Sequence, residues 1–114
     1  MTDIKGYHAH VYYDAASKEK AAALRESLLG KFKVEAGGFS DAPQGPHPIS
    51  QFNVIFESPE FDAVVPWLML NRGSLSILVH PRTGDEAADH DGNALWLGER
   101  LPVDLDFLRR HTGG

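Results

Sequence analysis

Cysteine is absent from the 114 residues, so disulfides, thiolate metal ligands and thiol nucleophiles are excluded. No apolar run nears the roughly 18 residues of a membrane span. The opening Met1-Thr2-Asp3-Ile4-Lys5-Gly6 lacks the apolar stretch of a secretory signal. Positive charge is scarce: 11 Lys and Arg against 16 Asp and Glu leave a formal charge of -5. No basic cluster offers a footprint for nucleic acid. The expectation is a cytoplasmic protein with neither a membrane nor a nucleic-acid partner. With 42% hydrophobic and 24% charged residues the composition is that of a globular protein, and the length suits one domain, 1–114, with a real core. Histidine is what draws notice. Four of the six fall in short patterned contexts.

Tyr7-His8-Ala9-His10-Val11-Tyr12-Tyr13 alternates with period two and is rich in aromatic and β-branched residues, which predicts a strand. Side chains then alternate between faces, with His8, His10 and Tyr12 on one and Ala9, Val11 and Tyr13 on the other. Ser17 is placed to cap a first helix, on which Leu24, Leu28 and Phe32 recur every fourth residue. A short strand is expected near Gly37-Gly38-Phe39-Ser40, and the Pro- and Gly-rich run 41–48 reads as loop. Ile49 to Glu57 alternates again, with Gln51 and Asn53 facing away from Phe52, Val54 and Phe56. Ser58-Pro59 opens a second helix carrying Phe61, Val64, Val65 and Leu68. Ser74 to His80 forms the fourth strand. The order β-α-β-β-α-β predicts an α+β fold, a ferredoxin-like split βαβ sandwich. A C-terminal extension follows, with an acidic loop over 83–92, a fifth strand near Ala94 to Leu97, and a short helix capped by Asp104.

If the apolar residues of each strand face the helices, the other face collects His8, His10, Tyr12, Gln51, Asn53, Ser76 and His80. In split βαβ order the first strand lies between the third and fourth, which brings His80 beside His8. Three imidazoles from two adjacent strands point to a metal site. His47 has the matching parity but begins its strand at the far end. It folds back over the sheet, serves a neighbouring subunit, or is a plain loop histidine. His90 sits in the acidic loop, where it can fold over the same face. Thiol-free imidazole sites suit Zn(II), Fe(II), Mn(II) or Cu(II), and Asp85, Glu86 or Asp89 can supply a carboxylate.

His8 and His10, Gly45-Pro46-His47-Pro48, Val79-His80-Pro81 running into Thr83-Gly84-Asp85, and Asp89-His90 with Ala94, Trp96 and Gly98 together resemble the DOPA 4,5-dioxygenase family. The likeness runs from Tyr7 to Leu101, and its strength lies in four motifs in order. It implies a ferredoxin-like fold, extradiol cleavage of DOPA or a related catechol by dioxygen at a non-haem Fe(II) centre, and a homodimer. On that basis His10 and His80 are assigned to the metal, with His8 and His47 as further ligands. His90 is the acid/base, and His8 a second catalytic candidate. Tyr12, Gln51 and Asn53 are expected to hydrogen-bond substrate, Trp96 to stack on its ring, and Arg82 or Arg100 to hold a carboxylate. Zinc or nickel can occupy the same imidazoles in a purified sample. Two other functions fit the residues. One is a non-catalytic metal- or small-ligand-binding module on a ferredoxin-like sheet, and the other a zinc hydrolase with His90 or Glu86 as base.

Overall fold

A computed structural model describes residues 3–111. Five strands form one sheet in the order β2-β3-β1-β4-β5, every neighbouring pair antiparallel. They are β1 (Tyr7–Tyr12), β2 (Glu35–Ala36), β3 (Gln51–Phe56), β4 (Ser76–Pro81) and β5 (Leu95–Leu97). Helices α1 (Lys18–Lys31) and α2 (Phe61–Asn71, preceded by a 3-10 turn at Ser58–Glu60) cover one face. The ferredoxin-like sandwich with its C-terminal addition is present, and β1 is central as the split βαβ order requires.

Parity builds the core. Ala9, Val11 and Tyr13 meet Phe52, Val54 and Phe56 from β3 and Leu75, Ile77 and Val79 from the β4 segment. Against them α1 sets Ala21, Leu24 and Leu28, and α2 sets Val64, Val65 and Leu68. Each fully buried Leu, Val or Phe contributes roughly 1.5–3 kcal/mol, and truncating Leu28 to Ala would cost about 2–5 kcal/mol. This layer fixes the register: a slip of one residue along β1 would turn the histidines into the core and Val11 out of it. The apolar side thus sets where the polar side points.

Three local features depart from the sequence reading. The short strand lies at Glu35–Ala36, and the ladder continues loosely through Gly37 N–H donating to Asn53 O and a bridge between Ser40 and Gln51. The Asn53 side chain occupies the space a Cβ at Gly37 would need, so a larger residue there would have to push the Asn53 amide aside. Ser17 sits at the N-cap of α1 but bonds back to Asp14 rather than into the helix. The acidic loop contains a helical turn, α3 (Glu86–Asp89), whose Ala88 N–H is capped by Asp85.

The extension does structural work on the other face of the sheet. Asp104 caps α4 (Leu105–His111) by accepting from Phe107 N–H. Asp104 N–H donates to Pro46 O at 2.8 Å, and the Phe107 ring lies against Gly45. Tyr12 and Leu78, which a bare sheet would expose, are buried. Among the described residues no helix is long and apolar enough to cross a membrane.

Candidate metal centre

Five imidazoles meet on the face turned away from α1 and α2. His8 and His10 come from β1 and His80 from β4, with His8 directly opposite His80 in the ladder. His47 arrives from the 41–48 loop and His90 from the end of α3. The His10 ring centroid lies 4.3 Å from His47 and 5.1 Å from His80, and His80 lies 4.0 Å from His90. His8 flanks the group, 5.2 Å from His80 and 6.0 Å from His10. Two overlapping triads have ligand nitrogens within 4.8 Å of one another: His8, His10 and His80, and His10, His47 and His90.

Of the three positions open to His47, the structure takes the fold-back over the sheet. Gly45, at φ +59°, turns the chain in the left-handed region where side chains other than glycine are strained. His47 N–H then closes on Gln44 O, and the extension holds Pro46 from above. His47 becomes 9% exposed and its Nδ1 lies 2.7 Å from Tyr12 Oη. A flat-sheet projection missed this because a turn and a distant helix, not strand direction, set the position.

Hydrogen bonds settle the tautomers. His10 Nδ1–H donates to Gln51 Oε1 (2.9 Å), His80 Nδ1–H to Pro81 O (2.9 Å) and His90 Nδ1–H to Glu86 O (2.7 Å). A neutral imidazole bonded in this way has its Nε2 unprotonated, the arrangement in which an outer acceptor orients a metal-binding histidine. His10 Nε2 and His80 Nε2 lie 3.1 Å apart. With both protons on the far nitrogens, two lone pairs face each other across that gap. Two nitrogens each about 2.1 Å from one ion and about 90–110° apart are separated by about 3.0–3.4 Å. The spacing fits a shared cation.

Burial keeps the donors neutral. It lowers His80 to about 3, helped by His90, and His47 to about 4, again with His90 second. His10 is held well below the usual imidazole value by burial first, then by His47 and His80, with the Gln51 bond opposing. His8 is lowered by burial, then by the Arg82 guanidinium and His90. Neutral imidazole is the form that binds metal. Burial likewise raises the Tyr12 phenol above its ordinary range.

The remaining sequence candidates fall into clear places. Gln51 bonds His10, and Asn53 lies beside it, opposite His10 in the β1–β3 ladder. Trp96 stacks on Tyr12 (5.8 Å, 18°) and walls a small cavity next to His90. Arg82 borders a groove of about 440 Å³ with Lys33, Glu35, Ile55 and Glu57. Arg100 pairs with Asp91 (3.1 Å) at the surface. Asp85 is spent as a cap, and Asp89 accepts from Thr83 and Asn93. Glu86 approaches His90 Nδ1 only at 3.9 Å. The triads found among the described residues contain imidazole alone. The Pro81 and Glu86 carbonyls that orient His80 and His90 had no sequence signal, since every residue carries one.

A ferredoxin-like sheet with a buried, thiol-free histidine cluster that could hold a metal ion defines a candidate metal-site protein of the α+β class. The chain belongs to the DOPA 4,5-dioxygenase family, whose sequence model matches residues 7–107. It is 40% identical over 116 aligned positions to an uncharacterized 21.2 kDa protein of Botryotinia fuckeliana, covering 91% of this chain and 63% of that one. It is 36% identical over 116 positions to a DOPA 4,5-dioxygenase of Amanita muscaria, covering 94% and 51% respectively. The chain thus spans between half and two thirds of the curated relatives it matches. A crystal structure of a candidate dioxygenase from Nostoc punctiforme PCC 73102 superposes with a TM-score of 0.93 at 53% identity, covering 95% of this chain and 94% of that one.

Proposed function

We propose that this domain, 1–114, is an extradiol ring-cleaving dioxygenase that acts on a catechol, DOPA or a relative of it, with Fe(II) held by histidine. The observation that carries the reading is the 3.1 Å approach of two unprotonated Nε2 atoms inside a buried five-imidazole cluster. Family membership supplies the chemistry. A ferrous ion provides the electrons through which dioxygen, a triplet, can react with a closed-shell ring.

His10 and His80 are the principal ligands, with His8 completing their triad. Because Nδ1 of His10 is bonded to Gln51, Nε2 is the atom it offers to either triad. His47 and His90 complete the other set and face the same space. His90, its Nδ1 tied to the Glu86 carbonyl, accepts a catechol proton at Nε2 and returns it as the ring opens. Tyr12 keeps its proton and steadies His47. Arg82, exposed beside His8, attracts an anionic substituent on the substrate. The net reaction joins a catechol and dioxygen into one ring-opened hydroxy-semialdehyde. The ring carbon–carbon bond beside a hydroxyl breaks, both oxygen atoms enter the product, and no further reductant is consumed. A homodimer and a cytoplasmic location belong to the same reading. Exposed Met69 and Leu70 on α2 are apolar surface available for the dimer contact.

Anaerobic loading with Fe(II), then addition of catechol or DOPA and air, tests this. Oxygen uptake matched by a yellow semialdehyde is expected. Substrate association without oxygen uptake would leave a binding module, and turnover without oxygen under Zn(II) a hydrolase.

A further inference from the structure

Asp89 is 1% exposed and follows the chain of α3 directly into His90. Thr83 N–H donates to its Oδ2 at 2.8 Å, Thr83 Oγ1 to its Oδ1 at 2.6 Å, and Asn93 Nδ2 to Oδ1 at 3.3 Å. All three partners donate and all three are neutral. A carboxyl that only accepts, at both oxygens, has the bonding pattern of the ionised form. Among the described residues no Lys, Arg or His forms an ion pair with it.

A buried anion without a cation costs several kcal/mol. An amide at this position would turn an NH2 group toward one of these donors, so the three bonds themselves call for a carboxylate. What the position offers is proximity to the imidazoles. Asp89 ties the strand end leaving His80 to the turn that carries His90, and its charge is felt at His80. Neutral imidazoles leave a divalent ion with its full charge. Two other charges lie near the cluster: the Glu86 carboxylate is half-exposed and screened by water, and Arg82 near His8 is of the wrong sign.

We propose that Asp89 is the outer-sphere counter-charge of the metal centre, a positioning residue that stabilises a divalent cation on the histidines without touching it. This rests on the reading that the cluster binds such a cation, so wild-type binding is measured first. Co(II) serves as the probe, with affinity from chelator competition and site geometry from its visible spectrum. Failure of the wild-type protein to bind Co(II) would overturn the metal reading itself.

Given wild-type binding, Asp89→Asn is expected to weaken Co(II) by about 10–100-fold. Thr83→Ala, which removes one bond but keeps the carboxylate, should stay within about threefold. Asn93→Lys, at an exposed position, sets a cation against Asp89 and should weaken Co(II) by about fivefold, a screened Coulomb effect. Equal losses in Asp89→Asn and Thr83→Ala would reduce Asp89 to a clamp and overturn the proposal. Should Asp89→Asn not fold, Asp89→Glu, which keeps the charge while disturbing the three bonds, decides instead: Co(II) affinity within about threefold of wild type upholds the counter-charge, and a larger loss overturns it.

Discussion

His10 and His80 face one another through bare nitrogens, Nε2 to Nε2 at 3.1 Å, because Gln51 and the Pro81 carbonyl draw both protons to the opposite side of each ring. Nothing within the pair holds it together. Two lone pairs at that distance repel, and the β1–β4 ladder with the packed core beneath it keeps them in place. The site is organised before any cation arrives.

Both triads draw on His10, so a single ion per chain is expected. His10→Ala should abolish high-affinity binding, whereas His47→Ala leaves His8, His10 and His80 together and should retain most of it. Metal analysis after dialysis against excess Co(II) or Zn(II) reads the difference. Two ions per chain, or equal loss in the two variants, would contradict the shared ligand.

The buried imidazoles make the metal-free protein acid-sensitive. In the unfolded chain His47 and His80 take up protons near 6.5, but in the fold not until about 4 and about 3. Between those values the unfolded state binds more protons, so stability rises with pH there and falls as acid is added. The slope is up to about 1.4 kcal/mol per pH unit for each histidine. Urea titrations of metal-free protein at about pH 7 and about pH 5 should differ by roughly 2–4 kcal/mol. A flat response would mean that these rings are solvated.

Arg82 sits at the rim of the groove beside His8 rather than inside the cluster. Arg82→Ala is expected to raise KM for a carboxylate-bearing catechol by about tenfold, a charge-assisted bond weakened by exposure. KM for unsubstituted catechol and kcat for both should hold. Steady-state oxygen uptake with the two substrates separates these outcomes, and equal KM changes would remove Arg82 from substrate binding.

Gly45→Ala places a Cβ at φ +59° and within 3.4 Å of the Phe107 ring. A loss of about 1 kcal/mol or more in urea stability is expected. Faster amide exchange should be confined to residues 44–48 and the start of α4. If exchange quickened across the whole sheet instead, the loop would not be the locus of the strain.

Much of this was legible in the chain itself. Period-two alternation in Tyr7–Tyr13, Ile49–Glu57 and Ser74–His80 identified the strands to within two residues at each end, and parity alone put His8, His10 and His80 on one face. Parity says nothing about loops, and so His47 and His90 could be nominated but not placed. His47 depends on a left-handed glycine and on α4, sixty residues onward in local chemistry that no window around it contains. Gln51 shows the complementary limit: its face was readable, but its partner was not, because an amide beside an imidazole and an amide beside a substrate look alike in sequence. Asp89 was one of three neighbouring carboxylates, and only burial and three donors set it apart.

The hold of α4 on the loop of His47 also makes one side of the imidazole cluster adjustable. Asp104 N–H fixes Pro46, so lifting α4 from the sheet would loosen His47, while Tyr12 still reaches it and the ladder keeps His8, His10 and His80 together. A variant cut before Leu105 should therefore still take up Zn(II), with His47 less firmly placed among the ligands.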